Sequence, residues 1–311
     1  MMKYRILAST KNQSREEWIL LRKNHLGGSD SAAIAGLNPW KSAIAVWLEK
    51  TVRETEDCDN ERMRIGRDLE DYVARRFEEA TELKVRRRNA ILLHESIDWM
   101  SANVDRLIVG KDEGLECKVT GSYSSTDWKD DNVPLMYEMQ MHHYMAVTGA
   151  TAWWIAALIG NERIAIKRIE RDEEVISALI GIERTFWEDN VLAGEMPAPD
   201  GSRAAQEAIK KLWPMANEGL TIELDSEFEK MIERRDDLSG LIENMSKEVD
   251  EIEQKIQVAM KDAEVATVGK HKVTWKTRSS IRLDSKQLKN LEPEVFERFS
   301  KPSIYRVFIV R

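Results

Sequence analysis

Only two cysteines, Cys58 and Cys117, occur in the 311 residues. Two thiols cannot by themselves form a four-ligand zinc site or a four-cysteine iron–sulfur cluster, and they read as reduced side chains. Long apolar runs are missing as well. No stretch approaches the roughly 18 residues a membrane-spanning helix needs. The opening residues, MMKYRILASTKNQSREEW, lack the apolar segment of a signal peptide. The expectation is a soluble cytoplasmic protein without a membrane partner. Excess positive charge is the third absence. A net charge of -8 argues, taken alone, against a nucleic-acid partner. Its distribution weakens that objection. Residues 218–264 hold 15 acidic and 6 basic side chains, whereas 265–311 hold 4 acidic and 11 basic. Local fields govern phosphate binding, and a nuclease needs acids of its own to hold metal.

At 42% hydrophobic, the chain has material for a sizeable core, as one large domain or two smaller ones. The first segment reads as helices. Ser14 is placed to cap one through Trp18, Leu20 and Leu21, and Ser29 or Asp30 to cap the next, Ser31–Ala35. The turn Gly36-Leu37-Asn38-Pro39-Trp40 precedes a third through Ala43–Leu48. An amphipathic helix over 66–82 gives way to strands at Val85–His94, Trp99–Val109 and Gly114–Thr120. A helix over Leu135–Thr148, a hairpin (Thr151–Ile159 with Ile164–Ile169) and a helix over Asp172–Ala193 complete an α/β core built on one mixed sheet. From Phe228 to Ile256 apolar residues recur at 3-4 spacing, broken only by Arg235, as in a coiled coil or helical hairpin, with Gly240 a candidate kink. Strands are expected at Ala266–Trp275 and Ser303–Val310, with a short helix near Ser285–Leu291 between them. The expected domains are therefore 1–213, a heptad-patterned segment 214–264, and a basic α/β extension 265–311.

The chemistry gathers around Asp105, Glu116 and Lys118. A strand repeats every two residues, so Glu116 and Lys118 share a face with Cys117 opposite. A hairpin through Gly110–Gly114 brings Asp105 beside them. Two carboxylates and an ammonium on one patch suit phosphodiester hydrolysis. The carboxylates would hold Mg²⁺ through hard oxygens, and the lysine would orient the nucleophile or stabilise the pentavalent oxygens. The same spacing also arises where Asp105 merely ends a strand and Glu116–Lys118 is a cross-face salt bridge. Two more polar residues shift the balance. Glu70 lies along the buried line of its helix with Val73, Ala74 and Phe77, where it needs a metal or an interfacial cation. Gln140 lies among Met136, Tyr137, Tyr144 and Val147, where its amide must bond a sheet carbonyl, a metal-bound water or a phosphate.

Six blocks in order then make the pattern specific: Leu21-Arg22 with Gly27-Gly28-Ser29-Asp30; Gly36–Trp40; Gly66–Glu70; Asn103-Val104-Asp105; Glu116-Cys117-Lys118; and Gln140–Met145. Residues 14–195 resemble the lambda exonuclease/YqaJ branch of the PD-(D/E)xK nuclease superfamily, the phage recombination exonucleases. The resemblance implies a restriction-endonuclease-like core, a central mixed sheet flanked by helices, followed by a helical and small β extension. It implies a phage or prophage protein working in the bacterial cytoplasm. Its activity would be 5′→3′ digestion of double-stranded DNA ends, leaving 3′ overhangs for a single-strand annealing protein. By the same resemblance Glu70, Asp105, Glu116 and the Cys117 carbonyl would serve two Mg²⁺ ions, with Mn²⁺ able to substitute. Lys118 would match the catalytic lysine, Gln140 the active-site glutamine, and Arg22 with Ser29 a 5′-phosphate pocket. Asn103-Val104 departs from the family's Ser/Thr-Pro or Pro, though Asn103 can still donate to a phosphate. A homo-oligomer, a ring of three around DNA, is implied by resemblance alone. Trp40 and Lys41, after their turn, are a candidate DNA wedge and contact, or else a hydrophobic anchor with its neighbour. The rival readings are a structure-specific or restriction-like endonuclease on the same core, and a DNA-end-binding scaffold without activity.

Overall fold

A strand the sequence reading did not foresee opens the fold. β1 (Arg5–Ser9) pairs antiparallel with residues 90–93, in a segment read as helical throughout. The residues described in this computed structural model are 2–11, 13–52, 60–130 and 132–310, so Cys58 lies outside them. Helix α1 (Arg15–Lys23) begins with a capping box. The Glu17 N–H donates to the Ser14 hydroxyl (3.1 Å) and the Ser14 N–H to the Glu17 carboxylate (3.0 Å). Helix α2 (Gly28–Ile34) starts earlier than expected, with Gly27 rather than Ser29 or Asp30 at the cap. Asp30 sits one turn in and accepts from the Gly27 N–H at 3.2 Å. Helices α3 (Ala43–Thr51) and α4 (Glu61–Thr81) follow, capped by Ser42 and Asn60.

The two long strands expected at 85–94 and 99–109 are each broken in two. β2 (Val85–Arg87), β3 (Ala90–Leu93), β4 (Ser101–Asn103), β5 (Arg106–Ile108) and β6 (Glu113–Thr120) result. The breaks let one chain serve two sheets, so the single mixed sheet of the sequence reading becomes two. One is three-stranded, β1-β3-β4. The other is five-stranded, β2-β5-β6-β7-β8, completed by β7 (Ala152–Ile159) and β8 (Arg163–Glu170). β6 and β7 run parallel over their whole length and the other pairs are antiparallel. Between β6 and the last two hairpin strands in the chain lies helix α5 (Leu135–Thr148), with the bounds expected from sequence.

The mixed sheet is covered on both faces. Val73, Ala74 and Phe77 of α4 pack on Leu115 and Ala156, with Cys117 and Trp154 beside them. On the other face Met141, Tyr144 and Met145 of α5 pack on Trp153, Ile155 and Ala157. Helix α6 (Glu173–Thr185) passes into a π-helical turn, Phe186–Leu192, where one regular helix was expected. There Trp187 stacks on Trp99 at 6.4 Å. Helix α7 (Arg203–Leu212) was not foreseen; its Ala205 and Ala208 close over Ile44.

Residues Met1–Leu212 form one compact unit and Trp213–Arg311 a second. The second holds α8 (Ser226–Met260), an uninterrupted helix through Gly240, so no helical hairpin forms there. The strand expected at 266–275 is instead a hairpin, β9 (Val265–Val268) with β10 (His271–Thr274), turning at Gly269 where φ is +55°. Helix α9 (Ser285–Leu291) falls where expected, and α10 (Pro293–Phe299) follows it. Residues 303–310 are not a strand. Tyr305, Val307 and Ile309 alternate suitably, but among the described residues no strand offers them a ladder, and a strand without a partner leaves its backbone groups to water.

Candidate active site

Asp105 stands where the chain leaves the three-stranded sheet for the five-stranded one, between β4 and β5. β5 pairs with β6 only at Arg106–Leu115 and Leu107–Gly114, so beyond Leu115 that edge of β6 is open. Asp105 fills the opening: its Oδ2 accepts the Cys117 N–H at 2.8 Å. In an extended residue the N–H and C=O point to the same side. The Cys117 carbonyl therefore also faces the open edge, toward Asp105 and away from β7.

Alternation puts Glu116 and Lys118 on the α5 face, and the Cys117 side chain in the α4 layer. Lys118 Nζ donates to Glu116 Oε1 at 2.6 Å, and Gln140 Nε2 donates to the same oxygen at 2.8 Å. Gln140 also lies 2.7 Å from the Tyr144 hydroxyl, which donates to the Asn103 carbonyl at 3.2 Å. Glu116 Oε2 is buried with no hydrogen-bond partner. An orphaned carboxylate oxygen at 3% residue exposure is costly unless something cationic meets it. Burial pushes the Asp105 carboxyl well above the ordinary carboxylate range, and the Glu116 and Glu70 charges push it further. Burial works against the Lys118 ammonium, but Glu116 and Asp105 outweigh it and the lysine holds its proton more tightly than usual. Lys118 also lies 5.1 Å over the Tyr137 ring. Crowded carboxylates, one orphaned oxygen and a backbone carbonyl form a hard-oxygen donor set that fits a divalent cation.

Glu70 lies near enough for its charge to act on Asp105, but its carboxylate is already engaged. It is ion-paired with Arg106, whose other nitrogen bonds Asp71 at 2.6 Å. Of the two partners open to it from sequence, metal or cation, the fold supplies the cation. Accordingly, among the described residues no trio of His, Cys, Asp or Glu side chains is gathered closely enough to hold a metal without rearrangement.

Arg22, Ser29 and Lys41 come together a short way off. Arg22 Nη2 donates to Ser29 Oγ at 3.0 Å, and its guanidinium lies 4.7 Å over the Trp18 ring. Beneath them is Asp30, fully buried, within reach of Lys41 (2.9 Å), Lys50 (2.9 Å) and Arg22 (3.5 Å). Burial alone would raise the Asp30 pKa, but these three cations hold it well below the usual range. Lys50 also donates to the Arg22 and His25 carbonyls, each at 2.8 Å. Three cations about one buried carboxylate, with Lys41 shared by Glu49, leave a positive surplus facing outward. Gly28 joins this cradle to the carboxylates. A Cβ there would lie 2.6 Å from Tyr144 Cε1 and 3.2 Å from Gln140 Cγ, so only glycine lets α2 approach α5 so closely. Trp40 is 79% exposed at its turn, and Asn103 is exposed beside Asp105.

Sequence reasoning missed Lys50, Arg106 and Tyr144 as polar parts of the site, because each reads as an ordinary member of its helix or strand. It also left His143 unassigned. That ring is fully buried, with Nδ1 2.8 Å from Glu183 and Nε2 2.8 Å from the Ser101 carbonyl, tying α5 to α6 and β4.

A central mixed sheet flanked by helices, with this acid–acid–lysine edge, is the PD-(D/E)xK nuclease fold. The alkaline exonuclease LHK-Exo from Laribacter hongkongensis has a similar fold, with a TM-score of 0.50 at 19% identity, over 64% of this chain and 100% of that one. The same enzyme in complex with dAMP also gives 0.50, at 20% identity over 63% and 97%. Residues 17–151 match the YqaJ-like viral recombinase domain. YqaJ of Bacillus subtilis (strain 168) is 38% identical over 309 residues, 98% of this chain and 97% of its own length. The chain belongs to the YqaJ-like viral recombinase family.

Proposed function

We propose that the protein is a divalent-metal-dependent exonuclease that degrades one strand of duplex DNA from its 5′ end, leaving a 3′ overhang for a single-strand annealing partner. The observation that carries the reading is the open edge of β6, where Asp105, the Cys117 carbonyl and the orphaned Glu116 Oε2 converge beside a protonated Lys118. Those oxygens would hold Mg²⁺, or Mn²⁺ in its place, and Glu70 would serve a second ion only by exchanging Arg106 for it. When bound, the ion supplies Lewis acidity and a water of lowered pKa. Lys118 is placed to stabilise negative charge developing on the phosphate, and Gln140 fixes the Glu116 carboxylate in one rotamer. Arg22, Ser29 and Lys41 offer a cationic seat for a terminal 5′-phosphate, held rigid by buried Asp30. The exposed Trp40 would meet the duplex end, and Asn103 a phosphate next to the cut. Assembly as a ring of three around DNA belongs to the same reading, by resemblance.

That LHK-Exo has been seen with dAMP supports a nucleotide as the ligand of this fold. The test is digestion of linear duplex with and without Mg²⁺, comparing 5′-phosphate with 5′-hydroxyl ends and both with a covalently closed circle. Metal-dependent loss of the phosphorylated linear substrate, with the circle spared, is the expected result. Cleavage of the circle would replace the exonuclease with an endonuclease. Equal rates on both ends would remove the phosphate seat.

A further inference from the structure

The 35 residues of α8 extend about 52 Å at 1.5 Å per residue, and their apolar seam is uncovered. Leu238 is 42% exposed, Ile242 64%, Met245 67% and Val249 53%. A seam of this length in water is unstable on its own, and its 3-4 spacing is what a second helix of the same kind accepts. We propose that α8 pairs with α8 of a second copy of this chain, and that the two helices run antiparallel.

Direction follows from the charges. In a parallel pair Arg235 would face Arg235 within the seam, and Glu248 would flank Glu253 on both sides. In an antiparallel pair each seam residue at one heptad position meets the other type. Setting Phe228 against Ile252 of the second copy puts Arg235 against Met245 and Leu238 against Ile242. Side chains lean toward the N-terminus of their own helix, so flanking residues of antiparallel helices lean together. In this register Glu227 flanks Lys255, Arg234 flanks Glu248, and Leu241 meets its own copy at the dyad. Every charged flanking pair on that edge is complementary, and each occurs twice. Shifting the register by one heptad, to set Met231 against Ile256, would bring Arg234 against Lys255. The single Arg in the seam is then a register marker of the kind polar seam residues provide.

The test uses the full-length chain. Leu241→Cys should be cross-linked to dimer by a short bismaleimide, whereas Phe228→Cys should give no more dimer than the wild type with its own two cysteines. In the proposed register the two Phe228 positions are about 36 Å apart, and in a parallel pair they are adjacent. By sedimentation over a dilution series, Ile242→Asp should weaken the α8 contact at least 100-fold. Arg234→Glu should weaken it about tenfold, and adding Glu248→Arg should restore it. Cross-linking at Phe228 but not Leu241 would overturn the direction. Absence of cross-linking at both would overturn the second copy as the occupant. The cross-links report on α8 alone, so association through the nuclease core does not disturb the outcome, and neither does failure of the exonuclease reading.

Discussion

Lys50→Met offers the sharpest test of how the cationic cradle around Asp30, the proposed phosphate seat, is built. The Lys50 side chain is 1% exposed, and its ammonium makes three bonds: to Asp30, to the Arg22 carbonyl and to the His25 carbonyl. Methionine keeps the stem's bulk and removes all three. Breaking a buried ion pair by taking away one partner costs about 3–5 kcal/mol. Here Asp30 keeps Lys41 and Arg22, which lowers that figure, while two carbonyls lose their donor at about 1 kcal/mol or more each. The net expectation is about 3–4 kcal/mol, which for a unit of this size is a fall in Tm of roughly 6–16 °C. Adding Asp30→Asn removes the buried charge and should recover part of the loss. Thermal unfolding of the wild type, both single variants and the double variant measures the coupling. If Lys50→Met costs less than 1 kcal/mol, or the double variant loses at least the sum of the singles, the buried pair is not what holds the cradle. The same variant should also blunt any preference for a 5′-phosphate end, because the Arg22 backbone loses its anchor.

Asp105→Asn should abolish nuclease activity, by more than about 100-fold, yet leave metal-free Tm unchanged or higher, since a buried carboxylate repelled by Glu116 and Glu70 is relieved; a clear fall in Tm would contradict the crowding. Gly28→Val should cost about 1–3 kcal/mol by overpacking against Tyr144 and should slow digestion through Gln140; wild-type values in both unfolding and rate assays would refute the close approach. Burial lowers the affinity of His143 for its proton, but Glu183 more than offsets this and the folded pKa is raised. Because the folded value exceeds the unfolded one of about 6.5, the stabilisation is complete below pH 6.5 and fades as pH rises through the folded value. Glu183→Gln should therefore flatten the dependence of Tm on pH above 6.5, and an unchanged slope would place that dependence elsewhere.

Legibility in the sequence followed the strength of local periodicity. Helix α5 was readable as a long, mostly apolar stretch, and the β6–β7–β8 strands because each keeps strand character over eight residues and Gly160 marks the turn. β1 was not, because Arg5–Ser9 becomes a strand only by pairing with Ala90–Leu93, far along the chain. The splitting of 85–94 and 99–109 was equally hidden. Both halves of each segment have strand character, and only the presence of two sheets says where one must end. Of the site, Glu116 and Lys118 were placed by alternation alone, and Gln140 by its position on an apolar helix face. Glu70 was legible as a carboxylate needing a partner, but not the identity of that partner, since Arg106 belongs to a strand 36 residues away.

The break that sequence reading missed is also what makes the site possible. Had residues 101–109 continued as one strand beside β6, their backbone would have paired with the Cys117 N–H and left no open edge. Because β4 belongs to one sheet and β5 to the other, the chain turns away at Asp105 and a side-chain carboxylate takes the place of a backbone carbonyl at 2.8 Å. Burial there, with the negative charge of Glu116 beside it, raises the affinity of Asp105 for its proton, and Lys118 offsets this only in part. Cation binding should therefore release protons, in a fraction that grows as the pH is lowered into the range where Asp105 is protonated. Calorimetric Mg²⁺ titrations in buffers of different ionisation enthalpy measure this directly. The proton count should fall in Asp105→Asn, and identical heats in all buffers for the wild type would mean that the carboxylates are already ionised and the crowding is illusory.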